Sequence, residues 1–249
     1  MRTPRFHLPG PLRTGDTVDL PEPVFRHAVQ VLRLRAGARL ILFDGGGGEY
    51  AARLCEVGRR QARAELGDFS PREAESPLDV TLAQAVSAGE RMDFSLQKAV
   101  ELGVRGIVPL LSERSAPLPE GERRDKRMRH WRGVIAGACE QSGRNRLARL
   151  HPPLTLAHWL GGPQATGAGL RLVLAPEGDT GLGSLTGREP PAGPVVVLVG
   201  PEGGLSGAEL AQARTAGFTA LRLGPRVLRT ETAGAALLAA LGALWGDLG

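Results

Sequence analysis

Five consecutive aliphatic residues, Val195-Val-Val-Leu-Val199, leave no polar position for a solvent-facing side. Successive side chains of a strand point to opposite faces, so such a run needs apolar cover on both. A parallel sheet flanked by helices supplies that cover, and from Asp79 onward the chain repeats the pattern. Val80–Val86, Gly106–Leu111, Leu170–Ala175 and Ala220–Leu223 read as further strands. Glu90–Leu102 places Met92, Leu96, Ala99 and Val100 on one helical face and stops at Gly103. Arg124–Ser142 carries Met128, Trp131, Ile135 and Ala138 on its apolar side, and Ser206–Ala216 and Thr232–Trp245 complete the alternation. The expected fold class is α/β with a parallel sheet.

Residues 1–72 obey a different rule. Val18–Leu20, Arg39–Phe43 and Glu49–Val57 are short apolar or alternating runs broken by Gly and Pro, which predicts a small β domain. Within it, Val24, Ala28, Val31 and Leu32 recur at helical spacing over Val24–Leu34. Asp44-Gly45-Gly46-Gly47-Gly48 lies between two predicted strands. A phosphate-binding loop would need a following Gly-Lys-Ser/Thr and the start of a helix; both are missing, so a hairpin turn is expected. The polar stretch Phe69-Ser-Pro-Arg-Glu-Ala-Glu-Ser-Pro77 reads as a linker. The expected organisation is one domain over 1–72 and a second over 73–249.

Charge is concentrated rather than spread. Between Arg105 and Arg149 eleven basic residues stand against five acidic ones, while the whole chain carries a net charge of +5. A basic segment on a near-neutral body suits a polyanion such as RNA, and equally a solvated helix face. Arginine supplies 29 of the 31 basic residues, a ratio that a GC-rich coding bias accounts for without any partner. Cys55 and Cys139 have neither metal-ligand spacing nor enough company for a disulfide framework, and each is expected to be a small buried hydrophobe. MRTPRFHLPG at the start has no apolar signal segment, and no apolar run reaches the ~20 residues of a spanning helix, so a cytosolic location is expected.

Two loops hold the chemistry. Val195–Val199 runs into Gly200-Pro201-Glu202-Gly203-Gly204, after which Ser206 and Glu209 form a capping box. Ligands of open α/β sheets bind where strands end, and a Gly-rich turn lets the backbone approach them. A tight strand-to-helix turn explains the same residues, so both readings stand. The second loop clusters Arg229, Thr230, Glu231 and Thr232 at the start of the last helix. Thr230 or Thr232 could cap that helix and Glu231 would favour its positive end, which is compatible with a ligand site there.

Gly200-Pro-Glu-Gly-Gly followed by Leu223-Gly-x-Arg-Val-Leu-Arg-Thr-Glu-Thr-Ala233 resembles the C-terminal signature of the SPOUT methyltransferases. It is most similar to the ribosomal RNA small subunit methyltransferase E family. Glu90-Arg-Met-Asp-Phe-Ser-Leu-Gln-Lys-Ala-Val-Glu-Leu-Gly103, Pro109-Leu-Leu-Ser-Glu-Arg-Ser115 and Glu140-Gln-Ser-Gly-Arg144 resemble that family too. So do Arg5-Phe6-His7 and His27-x-x-x-Val-Leu-Arg33, so the resemblance spans nearly the whole chain. Leu205 stands where the family pattern has Phe, a conservative change, and the Gly45–Gly48 run is longer than the pattern's hairpin.

The resemblance implies a PUA-like β-barrel followed by a SPOUT α/β domain with a C-terminal trefoil knot, a rare exception to the rules of chain connection. It implies S-adenosylmethionine as methyl donor, N3 of a uridine in 16S ribosomal RNA of the small subunit as acceptor, and a homodimer. No metal is implied. The implied donor-binding residues are Leu174, Gly200, Pro201, Glu202, Gly203, Leu223, Gly224, Val227, Leu228, Arg229, Thr230, Thr232 and Ala233. On the RNA side stand Arg5, His7, His27, Arg33, Lys98, Arg114, Glu140, Gln141 and Arg144. Arg229 and Glu231 are the catalytic candidates. Glu231 or Glu202 could take the N3 proton or contact the donor, Arg229 could steady the developing oxyanion, and Glu231 could instead only order its loop. Ala233–Trp245 is apolar nearly all round and too short for a bilayer, so a partner subunit is expected to cover part of it.

Three other readings remain. A SPOUT enzyme acting on a ribose hydroxyl or a guanine would share the donor loops. An RNA-binding protein without activity would need no polar ligand loops, and a nucleotide hydrolase would need the Lys and Ser/Thr that the Gly45–Gly48 turn lacks.

Overall fold

A computed structural model describes residues 3–249 of the chain. It resolves into two compact units. One comprises the residues up to Glu75 together with Ala136–Leu147; the other comprises Ser76–Ile135 and Ala148–Gly249.

The first unit is built on strands β1 (Arg5–His7), β2 (Thr17–Asp19), β3 (Arg39–Phe43), β4 (Glu49–Val57) and β5 (Ala62–Ser70), with the short helix α1 (Glu22–Phe25) between β2 and β3. They form one sheet in the order β1-β3-β4-β5-β2, with β1 parallel to β3 and the other neighbours antiparallel. Inward positions alternate as the pleat requires: Ala52 and Leu54 on β4, Ala62, Ala64 and Leu66 on β5. The Gly run is the β3–β4 turn, and its length has a backbone cause: Gly45, Gly47 and Gly48 adopt φ of +88°, +120° and +70°. The predicted helix over Val24–Leu34 is corrected. After α1 the chain forms a π-helical turn over Arg26–Val31. That wider turn rotates the apolar stripe, so Val24 and Ala28 are buried while Val31 and Leu32 point to solvent. Cys55 is likewise exposed on β4, not buried as expected, whereas Cys139 is buried.

The second unit holds β6 (Val80–Ala85), α2 (Glu90–Glu101), β7 (Gly106–Leu111), and α3 (Gly121–Ser142), whose last residues belong to the first unit. Short elements follow: β8 (Arg149–Leu150), β9 (Leu154–Thr155), α4 (Leu156–Leu160) and α5 (Pro163–Thr166). Then come β10 (Leu170–Leu174), β11 (Thr180–Gly181), β12 (Val195–Val199), α6 (Gly207–Thr215), β13 (Thr219–Arg222) and α7 (Thr230–Trp245). The strands form a parallel sheet in the order β11-β13-β10-β12-β6-β7-β8, with β9 also on β7. The five residues of β12 are all buried, as their lack of polar positions requires. Val196 and Leu198 pack into the core that α4 and α6 close with Trp159, Leu160 and Ala213. Val199 faces the other way, towards α7 at Gly234. Each such side chain contributes roughly 1.5–3 kcal/mol on burial, so the central strand anchors both layers. Among the described residues no helix is long and apolar enough to cross a membrane, and no cluster of His, Cys, Asp and Glu is arranged to hold a metal.

Candidate functional site

Strands β13, β10 and β12 are neighbours, run parallel, and end level with one another: Leu174 pairs with Val199 on one side and Leu221 on the other. Outside their carboxyl ends lies a cavity of about 570 Å³. From β10 it is lined by Leu174 and the loop after it; from β12 by Val199, Gly200, Pro201, Glu202, Gly203 and Gly204. From β13 and the start of α7 come Leu221, Leu223, Val227, Leu228, Arg229, Thr230, Glu231 and Ala233. Two of the expected donor-binding residues, Gly224 and Thr232, do not line it. Gly224 instead allows a loop position with φ +74°, and Thr232 is exposed on α7.

The turn after β12 is shaped by its own sequence. A Cβ on Gly200 would lie 3.0 Å from the Leu205 nitrogen, so this position admits no side chain without moving backbone. The Gly204 N–H closes the turn on the Pro201 carbonyl at 2.9 Å. The capping box forms as predicted: Ser206 Oγ accepts from Glu209 N at 3.3 Å, and Glu209 Oε2 accepts from Ser206 N at 2.9 Å. Neighbouring loops then fasten the turn from outside. Glu202 Oε1 accepts from Ala88 N and from Arg91, each at 3.0 Å. Burial alone would raise the Glu202 carboxyl, but hydrogen bonds from its own backbone and Ala88, with Arg91, hold it below the ordinary carboxylate value. Such a carboxylate is a tether and a poor proton acceptor. Arg114, an RNA-side candidate, is exposed and fastens the turn as well: its guanidinium donates to the Gly203 carbonyl at 3.0 Å.

The start of α7 departs from the expected cap. Arg229 occupies the cap position and uses no side-chain bond; its carbonyl accepts from Thr232 N and Ala233 N at 2.9 and 2.8 Å. Thr230 lies inside the helix, and its hydroxyl donates to the Gly200 carbonyl at 2.6 Å. Thr230 Oγ1 in turn accepts from Gln84 Nε2 at 3.0 Å. Gln84 was not among the residues picked out from sequence; its signal is a lone amide inside the apolar run of β6. Glu231 Oε2 is buried and has no hydrogen-bond partner, so no bond supports a loop-ordering role for this carboxylate.

The remaining RNA-side candidates divide by burial. Arg5 is corrected to an interior residue of the first unit: it is 7% exposed, donates to Glu49, Asn145 and the Arg144 carbonyl, and lies 5.2 Å over the Phe43 ring. Arg144 is 3% exposed and grips Glu75 with Nε and a terminal nitrogen, the latter at 2.6 Å. Guanidinium groups enclosed to this degree have no exposed donors to offer phosphate. Lys98 pairs with Glu101 at 2.9 Å. His27, Arg33 and Gln141 are exposed. His7 and Glu140 meet, the His7 N–H donating to Glu140 Oε1 at 2.9 Å. Burial lowers the His7 imidazole despite the Asp44 carbonyl and charge beside it.

Burial also raises the Glu140 carboxyl above its ordinary 4.5, against the opposing pull of the His7 N–H, His27 and Arg5. A carboxyl raised on folding binds more protons in the folded state, so its stabilising effect in acid is lost as pH rises from 4.5 through the raised value. Glu140→Gln keeps the acceptor for His7 N–H and cannot ionise. Melting temperatures of variant and parent should converge in acid and separate towards neutral pH, with the variant higher; parallel curves would contradict this.

Residues 74–242 match the family described as the RNA methyltransferase domain, and residues 20–67 match the RNA methyltransferase PUA domain. Ribosomal RNA small subunit methyltransferase E from Buchnera aphidicola (subsp. Schizaphis graminum) is 30% identical over 247 residues, covering 99% of this chain and 98% of its own. The solved structure of the Neisseria gonorrhoeae protein of that name, bound to S-adenosylmethionine, is 42% identical with a TM-score of 0.88 and full coverage of both chains. A Legionella pneumophila protein solved with S-adenosylmethionine bound is 38% identical, with a TM-score of 0.92 and full coverage of both chains. An α/β domain with a parallel sheet and an N-terminal PUA domain, both expected from the sequence, are thus present. The chain is a member of the RNA methyltransferases, and among them of the ribosomal RNA small subunit methyltransferase E family.

Proposed function

We propose that this protein moves a methyl group from S-adenosylmethionine to N3 of a uridine in 16S ribosomal RNA. The observation that carries the reading is the cavity at the ends of β10, β12 and β13, into whose lining a buried carboxylate oxygen of Glu231 brings no partner of its own. Its ~570 Å³ falls in the range of about 300–1,000 Å³ typical of small-molecule sites. Leu174, Val199, Leu221, Leu223 and Leu228 give apolar walls suited to an adenine ring, and the Gly200–Gly204 turn lets backbone groups approach a ribose. The residues therefore fit the donor, which supplies a methyl group on a sulfonium leaving group.

The chain's own residues do the rest. An N3–methyl bond forms as the sulfur–methyl bond breaks, and the N3 proton must leave. Glu231 takes that proton, and Arg229, which lines the same cavity, steadies the negative charge that spreads to the uracil oxygens. The test is mass analysis of 16S RNA after reaction with purified protein and labelled S-adenosylmethionine. One added methyl at a uridine N3 is expected; a methyl on ribose or guanine, or no donor binding, overturns the reading.

The wider assembly follows the same reading. Residues 1–72 form a PUA-like β-barrel that takes RNA, and 73–249 a SPOUT domain whose donor loops are knotted. Leu237, Leu238 and Leu241 bury one side of α7, while Ala235, Ala236, Ala239 and Leu244 stay half-exposed, which supports a second subunit covering them in a cytoplasmic homodimer. A monomer in sedimentation at micromolar concentration would contradict that.

For RNA, the exposed Arg26, Arg33 and Arg35 form no ion pair among the described residues, and they surround exposed Val31 and Leu32. Among those residues Arg33 alone adopts a positive φ without being glycine, at +56°. Left-handed backbone costs an L-residue roughly 1–2 kcal/mol. Arg33→Gly should therefore raise stability by up to about 1 kcal/mol in denaturant unfolding, net of glycine's extra unfolded-state freedom. The same change should weaken RNA binding and reduce its log–log salt slope by roughly 0.7. Unchanged affinity and slope would remove Arg33 from the RNA surface.

A further inference from the structure

We propose that Gln84 is a positioning residue of the methyl-donor site, fixing the Gly200 carbonyl and the start of α7 in one register through the hydroxyl of Thr230. The proposal rests on the donor-site reading above. Gln84 lies near the end of β6, within Val80–Ala85, and is 0% exposed. Its orientation is dictated atom by atom. A carbonyl only accepts, so the Thr230 hydroxyl must donate to Gly200 O, at 2.6 Å. Thr230 Oγ1 is then an acceptor, and Gln84 Nε2 donates to it at 3.0 Å. The second amide proton goes to the Ala85 carbonyl, also at 3.0 Å. Both protons are used, and turning the amide over would break both bonds.

The other half of the amide shows what the residue is not for. Gln84 Oε1 is buried and receives no hydrogen bond. A buried carbonyl without a donor destabilises a fold, and leucine at this position would avoid that penalty. Core stability alone therefore gives no reason for glutamine in the middle of an apolar strand. What only the amide supplies is the link between β6, the turn after β12, and α7. Gly200 and Thr230 line the cavity and Gln84 does not, so Gln84 acts through them.

The test compares full-length Gln84→Leu, Thr230→Val and the double variant with the parent by S-adenosylmethionine titration, thermal melting and ligand-free hydrogen–deuterium exchange. Gln84→Leu should melt no lower than the parent yet bind the donor about tenfold more weakly, the loss of one buried hydrogen-bond link. Thr230→Val should show a similar loss, the double variant no more than either single one, and Thr230→Ser should recover most of what Thr230→Val loses. Without ligand, amides of residues 202–204 and 230–233 should exchange faster in Gln84→Leu while those of 106–111 do not change. A lower melting temperature with unchanged affinity, or additive losses, would make Gln84 an ordinary core residue. A parent that fails to bind the donor sinks the donor-site reading, and the exchange comparison then decides the tether by itself. If Gln84→Leu does not fold, the contrast of Thr230→Val with Thr230→Ser decides it.

Discussion

Gly200→Val should reduce S-adenosylmethionine binding by at least two orders of magnitude in a protein that still folds. Even a Cβ there would meet the Leu205 nitrogen at 3.0 Å and the Gly204 carbonyl carbon at 3.2 Å. Those are backbone atoms of the same turn, so the turn must open, and its carbonyl leaves Thr230. Misplacing a binding group by about 1 Å costs on the order of 10²-fold. Gly203→Ala is the control within the turn. Its Cβ would meet only the flexible Arg114 side chain, at 3.3 Å, so a modest loss is expected. Calorimetric titration of both variants, with circular dichroism to confirm folding, measures the contrast. Equal affinities for Gly200→Val and the parent would place the donor elsewhere.

Glu231→Gln should leave donor affinity within a few-fold and lower the single-turnover methylation rate. General-base assistance is typically worth ~10²–10⁴-fold, and the deficit should shrink as pH rises and solvent removes more of the N3 proton. Sequence alone left this residue open between a base, a donor contact and a helix-start carboxylate. Glu231 lines the cavity and its buried Oε2 has no hydrogen-bond partner, so the variant decides among these roles. A variant with weaker donor binding and a pH-independent rate would make it a donor contact instead. Arg229→Lys separates the neighbouring role. It keeps the charge and loses the planar fork, so a large rate loss there requires a directed contact with the uracil oxygen.

The sheet was legible because burial on both faces forces a chain to spell it out: Val195–Val199 and Gly106–Leu111 are strands with the predicted bounds. The cavity residues were legible for a related reason, since Gly200 stands directly after β12 and the Arg229–Glu231 cluster opens the helix that follows β13. Short elements such as β8, β9 and α5 were not, because two to four residues carry no period. The π-helical turn was misread because the apolar spacing of an α-helix gives no warning of a wider turn. Arg5 and Arg144 looked like surface residues because their partners Glu49, Asn145 and Glu75 lie 44, 140 and 69 positions away. No local pattern announces a buried guanidinium whose carboxylate comes from another part of the chain.

The return of Ala136–Leu147 to the first unit sets the order of events during synthesis. Arg5 emerges early, yet Asn145, which receives one of its hydrogen bonds, is translated only after β6, β7 and all of α3. At about 5–20 residues per second, the first unit waits several seconds between its opening strand and its last piece. During that wait a half-built sheet is held near the polysome, surrounded by the polyanion it is proposed to modify. A fragment ending at Glu75 would stay at that stage permanently, so the N-terminal part of this chain is expected to be inherited with its helix α3 and not as a portable cassette.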